Sequence, residues 1–177
     1  MDYPDKAVLE RILETAGEGI IVANARDPEL PVVYVNPAFE ALTGYAAEQI
    51  VGRNPRFLQG EDTDQVALQD LRSALAEGRE CEVLLRNRRS DGSVFWNQLR
   101  LIALREGDEL RWWIGLCRDV GELLQLRERL KIGDRALREA QSLAPADRLT
   151  GLRSRPFFDE VLRREWSACA RDSRPLT

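Results

Sequence analysis

The chain has 177 residues, 44% of them hydrophobic and 32% charged, which suits one well-buried domain plus a smaller element and excludes a disordered chain. A net charge of -4 gives no electrostatic reason to expect DNA, RNA or an anionic membrane as partner, and no apolar run approaches the roughly 18 residues of a membrane span. There is no histidine, and the three cysteines Cys81, Cys117 and Cys169 lie far apart, so histidine catalysis is excluded, a zinc site or disulfide scaffold is disfavoured, and a reducing cytoplasmic setting is expected.

The N-terminus is charged and amphipathic, unlike a secretory signal, and DKAVLERILET places Val8, Leu9 and Ile12 on one face of a short helix ending before Gly17. GIIVAN and VVYVN then read as two strands separated by the polar, proline-containing loop RDPELP. Short helical segments follow at Pro37–Leu42, Ala46–Ile50 and Pro55–Leu58, then a longer one from about Thr63 to Ala76 with Gly78 as its stop. CEVLLRNRR, SVFWNQLRLIALR and LRWWIGLCRDV read as three longer strands, joined by turns at Ser90-Asp91-Gly92 and Glu106-Gly107-Asp108. Two strands, a helical insert and three strands predict an α+β fold: a five-stranded antiparallel sheet with helices on one face and a pocket between them.

From Gly121 the chain is charged and leucine-spaced. Leu123, Leu130, Leu137 and Ala144 recur every seven residues, with Leu126, Gly133 and Ala140 in the second seam position. Two readings stand: a dimeric coiled coil, or an amphipathic helix folded back on its own domain. Gly133 weakens the seam, removing a packing knob and about 1 kcal/mol of helix propensity.

The segment Gly52-Arg53-Asn54-Pro55-Arg56-Phe57-Leu58-Gln59-Gly60 resembles the GRNCRFLQG motif of light-oxygen-voltage (LOV) domains, a flavin-binding branch of the PAS superfamily, and matches it everywhere except Pro55. Companion features stand in the family's order: VVYVNPAFEALTGYAAEQIVG upstream; EDTD, Arg72, Asn87 and Phe95-Trp96-Asn97 downstream; then Gly115-Leu116-Cys117-Arg118-Asp119-Val120. The resemblance covers roughly residues 17–120 and implies a PAS fold that binds FMN, with FAD as the less favoured flavin.

The residue types suit such a ligand. Arg56 and Arg72 offer guanidinium forks to a phosphate. Asn54 and Gln59 carry amides that both donate and accept, as a ribityl chain requires. Asn87 and Asn97 resemble the paired asparagines that read the flavin's pyrimidine edge. Both sit mid-strand, where asparagine is disfavoured, and a buried amide without a partner costs about 1–3 kcal/mol. Val22, Leu58, Leu85, Leu99, Leu101 and Gly115 match or neighbour the family's apolar wall positions.

Two departures bear on mechanism. In the family a cysteine at the position of Pro55 forms a reversible thioether with the photoexcited flavin, and proline has no thiol. Asn54 as N-cap and Pro55 at the first helical position would preserve the local fold. Cys117 stands where the family usually has a glutamine that contacts the flavin edge, and a thiol is a weaker hydrogen-bond former. Redox sensing, photoreduction with Trp96, Trp112, Trp113, Tyr34 or Tyr45 as candidate donors, or a structural cofactor then remain. The rival is a PAS dimerisation module with a vestigial pocket.

Asp147-Arg148-Leu149-Thr150-Gly151-Leu152, followed by Arg155, Phe158 and Leu162, resembles the opening of diguanylate cyclase (GGDEF) domains. The resemblance implies a bacterial signalling protein with a cyclic di-GMP output in a longer parent. This chain lacks the GG[DE]EF loop, so it is expected to be the regulatory portion and not an enzyme. The expected organisation is a cap helix over 1–16, the flavin-binding domain over 17–120, a signalling helix over 121–146 and the truncated output segment over 147–177. Partners are expected to be flavin and a second copy through the flanking helices.

Overall fold

The computed structural model describes residues 4–143, together with 158, 159, 161–164 and 166. Asp5 accepts the Val8 N–H at 2.9 Å and starts helix α1 (Lys6–Thr15), whose apolar residues Val8, Leu9 and Ile12 are exposed. Strands β1 (Gly19–Asn24) and β2 (Val32–Val35) form an antiparallel pair. Asn36 then ties the region together. Its Oδ1 accepts from the Ile20 N–H at 2.7 Å and the Phe39 N–H at 3.0 Å, and its Nδ2 donates to the carbonyls of Leu13 and Glu18. One fully buried amide thereby caps α2 (Pro37–Thr43) and fixes the end of α1 against β1, and Pro37 falls where its missing N–H is harmless.

Helix α3 (Ala47–Ile50) and a 3₁₀ helix, Pro55–Gln59, lead to α4 (Val66–Glu77). The sequence predicts this last helix from Thr63; it begins at Val66. The Gln65 side chain explains the delay: its Nε2 donates to the Asp62 and Arg86 carbonyls while its Oε1 accepts the Arg86 N–H at 2.6 Å. That bridge stitches the preceding loop to β3 (Cys81–Arg88). Gly78 ends α4 in the left-handed region, at φ 64°, as its sequence position predicts.

With β4 (Val94–Glu106) and β5 (Glu109–Asp119), the strands form a five-stranded antiparallel sheet in the order β2-β1-β5-β4-β3. This is the α+β, PAS-type architecture expected from the sequence, with β5 at the sheet centre. Phe39, Ile50, Val32 and Leu58 form one part of the core, and Leu68, Leu71, Val83 and Leu85 another. No helix among the described residues is long and apolar enough to cross a membrane.

The chain divides into two units, Met1–Leu123 and Leu124–Thr177. Helix α5 (Gly121–Leu143) runs unbroken through Gly133, and its seam residues Leu126, Leu130 and Leu137 are exposed. Ala144 and the cyclase-like segment Asp147–Leu152, with Arg155, lie outside the described residues; Phe158 and Leu162 are helical.

Candidate functional site

Side chains alternate across a sheet, so every second residue of each strand faces the helices. On that face lie Ile21 and Ala23 of β1, Leu85 and Asn87 of β3, Asn97, Leu99 and Leu101 of β4, and Trp113, Gly115 and Cys117 of β5. Together with Phe39, Leu58, Leu68 and Leu71 from the helical side they wall a cavity of about 360 Å³, within the range of small-molecule sites. Gly115 sits where any larger residue would force its neighbours to shift. A Cβ at this position would stand 2.8 Å from Ile21 Cγ2 and 3.1 Å from Leu99 Cδ1.

The cavity brings together Asn54, Pro55, Arg56, Leu58, Gln59, Arg72, Leu85, Asn87, Asn97, Leu99, Leu101, Gly115 and Cys117. Val22 is the exception and corrects the sequence reading. It pairs in register with Ile114 and Tyr34 on the opposite face of the sheet, and its neighbours Ile21 and Ala23 take the wall. A one-residue offset on a strand exchanges the two faces.

Asn87 and Asn97 are 4% and 2% exposed. Asn97 Nδ2 donates to Asn87 Oδ1 at 2.9 Å, and Asn87 Nδ2 donates to the Arg86 carbonyl at 3.2 Å. Asn97 Oδ1 is a buried acceptor with no hydrogen-bond partner. An orphan of this kind costs about 1–3 kcal/mol and is answered by any ligand that presents an N–H or O–H donor there. Cys117 lies beside it on β5. Burial pushes its thiol up to about 12, with a hydrogen bond from Asn97 opposing, so Sγ holds its proton across the physiological range.

The other end of the cavity is cationic and open to solvent. Asn54 caps the 3₁₀ helix, its Oδ1 accepting the Arg56 N–H at 2.9 Å, and Pro55 occupies the first helical position. The Asn54 amide is thus engaged with the protein at both atoms, because its Nδ2 donates to the Glu29 carbonyl. Arg56 Nη2 contacts Glu29 Oε2 at 2.6 Å, whereas Arg72 Nη2 donates to the Thr63 carbonyl at a longer 3.4 Å.

Several lining residues escape the sequence reading. Ile21 and Ala23 escape because β1 is apolar on both faces and only its register with β5 shows which residues face the cavity. Trp113, 3% exposed, is legible there only as one of several aromatics. Trp96, by contrast, is 39% exposed and lies outside the cavity lining. Pro28 and Leu30 line the cavity from a polar loop that carries no pattern announcing it.

The family described as "PAS domain" matches residues 17–122. The chain is 37% identical over 150 residues to the bacterioopsin transcriptional activator of Halobacterium salinarum, covering 84% of this chain and 21% of the relative. It is 36% identical over 118 residues to a blue-light photoreceptor of Listeria monocytogenes, covering 67% and 47% respectively. It thus spans less than half the length of these curated relatives. Among solved structures, the LOV domain of the Erythrobacter litoralis EL346 blue-light-activated histidine kinase superposes with a TM-score of 0.57 at 40% identity, over 60% of this chain and 98% of that one.

Proposed function

This chain belongs to the PAS domain family, in its light-oxygen-voltage branch, and on that premise we propose that it is a flavin-binding sensory domain whose response does not pass through a cysteine–flavin bond. The observation that carries the reading is the unpartnered, buried Asn97 Oδ1 beside Asn87, in an apolar cavity of flavin-compatible size with two guanidinium groups at its open end.

The residues fit the ligand as follows. Asn87 and Asn97 would face the alternating donors and acceptors of the pyrimidine edge. Leu58, Leu85, Leu99, Leu101 and Gly115 would flank the ring. Gln59 suits the ribityl hydroxyls, and Asn54 could join it only through the second N–H and lone pair left by its bonds to the Glu29 carbonyl and the Arg56 N–H. Arg56 and Arg72 suit the terminal phosphate of FMN or the diphosphate of FAD. The bound flavin supplies visible absorption and reversible one- or two-electron reduction. Pro55 offers no nucleophile on the cavity wall, and Cys117, buried and protonated, is a poor one. Redox state or photoreduction is therefore the proposed stimulus.

A route out of the cavity runs along β5. Two residues beyond Cys117, Asp119 Oδ1 accepts the Gly121 N–H at 2.8 Å at the start of α5, and its Oδ2 accepts from Arg89 Nη2 at 2.6 Å. Arg89 also donates to the Leu42 carbonyl at the end of α2. A change in hydrogen bonding at Cys117 is proposed to shift this cap and so the packing of α5, whose exposed Leu126, Leu130 and Leu137 suit pairing with a second copy. In a longer parent the output is proposed to be a cyclic di-GMP-forming domain.

The test is an absorption spectrum of the purified protein, as isolated and after incubation with FMN or FAD, under blue light and then under mild reduction. A protein-bound flavin spectrum that gives no thioether under light and bleaches on reduction supports the proposal. No binding of either flavin overturns it and leaves a dimerisation module.

A further inference from the structure

The loop between β1 and β2 places a carboxylate on the cation that the proposed flavin site needs. Glu29 Oε2 stands 2.6 Å from Arg56 Nη2, and the Glu29 carbonyl accepts from Asn54 Nδ2. The loop is built to hold it there. Asp27 Oδ1 accepts the Glu29 N–H at 2.9 Å, the Leu30 N–H donates to the Asp27 carbonyl at 2.8 Å, and Leu30 adopts φ +48°, a left-handed conformation uncommon for leucine. Pro28 and Leu30, on either side of Glu29, both line the cavity. Glu29 is thus fixed at the cavity's open end by its backbone, and its side chain meets Arg56 across 27 positions of sequence. Arg72, the second guanidinium of the lining, has no carboxylate partner among the described residues.

We propose that Glu29 is a specificity residue that sets how strongly the pocket prefers a phosphorylated flavin over the unphosphorylated one. The inference rests on the flavin reading above. A terminal phosphate at Arg56 shares the guanidinium with the Glu29 carboxylate or displaces it from Nη2, and in either case the nearby carboxylate repels the phosphate. Riboflavin, which ends in a hydroxyl, meets no such competition. Arg72 keeps phosphate binding favourable, and Glu29 discounts it.

Titration of flavin-free protein with riboflavin and, separately, with FMN, followed by flavin fluorescence, tests this in wild type, Glu29→Gln, Arg56→Gln and the double variant. Glutamine keeps the size of the side chain and leaves the Asn54 and Asp27 bonds to the loop backbone in place, and circular dichroism checks that each variant is folded. Because the ion pair is exposed and screened, the expected gain in FMN affinity for Glu29→Gln is moderate, about 3- to 10-fold, with riboflavin affinity held within about 2-fold. The gain should vanish in the Arg56→Gln background and shrink as salt is raised. Equal shifts for the two flavins, an unchanged FMN affinity, or a gain that persists without Arg56 overturns the inference while leaving the flavin site standing. Failure of the wild type to bind either flavin overturns both.

Discussion

Replacing Asn87 and Asn97 together by leucine should move stability and ligand affinity in opposite directions. In the ligand-free domain Asn97 Oδ1 is buried without a partner, at a cost of about 1–3 kcal/mol. Asn97→Leu alone removes that orphan but strands Asn87 Oδ1, which accepts from Asn97 Nδ2 at 2.9 Å, so the single change should be close to neutral. The double change removes both amides. The Arg86 carbonyl, which loses the Asn87 donor, still accepts from Gln65 Nε2 at 2.9 Å. Set against the lost amide–amide bond, worth about 1 kcal/mol, the flavin-free double variant should be at least as stable as wild type, with a gain of up to about 2 kcal/mol. Flavin binding should fall by two amide contacts, about 2 kcal/mol or roughly 30-fold in Kd. Urea denaturation of the flavin-free proteins and an FMN titration give the two numbers. A double variant that loses more than about 1 kcal/mol of stability, or binds FMN as tightly as wild type, refutes the assignment of this pair as a ligand-reading edge.

Pro55→Cys returns a thiol to the cavity wall at the first position of the 3₁₀ helix, where the restored N–H needs no intrahelical partner. Blue light without added reductant should then give a reversible cysteinyl–flavin thioether in the variant and none in the wild type, whose only light response is reduction of the flavin; a variant that forms no thioether counts against Pro55 lining the flavin site. Gly115→Ala should destabilise the domain by about 1–3 kcal/mol in urea, because its Cβ would meet Ile21 Cγ2 at 2.8 Å. Cys117 carries a pH dependence: its folded value, about 12, lies above the ordinary thiol value, so its contribution is complete below about pH 8.5 and is lost as pH rises toward 12. Between pH 8.5 and 10 the loss should be about 1.5 kcal/mol, measured as the difference between wild type and Cys117→Ala. A thiol reagent at pH 8 should label half-buried Cys81 before buried Cys117, an order that disappears in urea.

Most of the fold was legible because its signals are local. Asn36-Pro37 announces a helix start, Gly78 a helix stop, and the two hairpin turns punctuate three strands. What eluded local reading depends on contacts across the chain. The start of α4 is set by Gln65 bonding to Arg86 on another element, which helical periodicity through Thr63 does not reveal. Val22 was misplaced for a different reason: β1 is apolar on both faces, GIIVAN, so composition gave no alternation and only the register with Ile114 decides which side faces the cavity.

The cavity was legible to the extent that its residues sit in one contiguous motif or carry unexpected polarity. Asparagine in mid-strand is conspicuous, and Asn87 and Asn97 prove to be buried and paired. Glu29 is the opposite case, an ordinary acidic residue in a polar loop whose relation to Arg56 exists only once β1 and β2 bring the loop over the 3₁₀ helix. The Pro55 departure shows why chemistry and architecture separate so cleanly at this site. Asn54 supplies the cap through its own Oδ1, proline supplies the fixed φ of a first helical residue, and Arg56 onward continues the motif unaltered. The thiol's position is one where a residue's backbone N–H has no structural duty, so the nucleophile can be lost while the Asn pair, the apolar walls and both guanidinium groups still line one cavity. On the reading proposed above, a flavin held there would signal from the hydrogen-bonding edge beside Asn97 and Cys117, on the strand that leads through Asp119 to the start of α5.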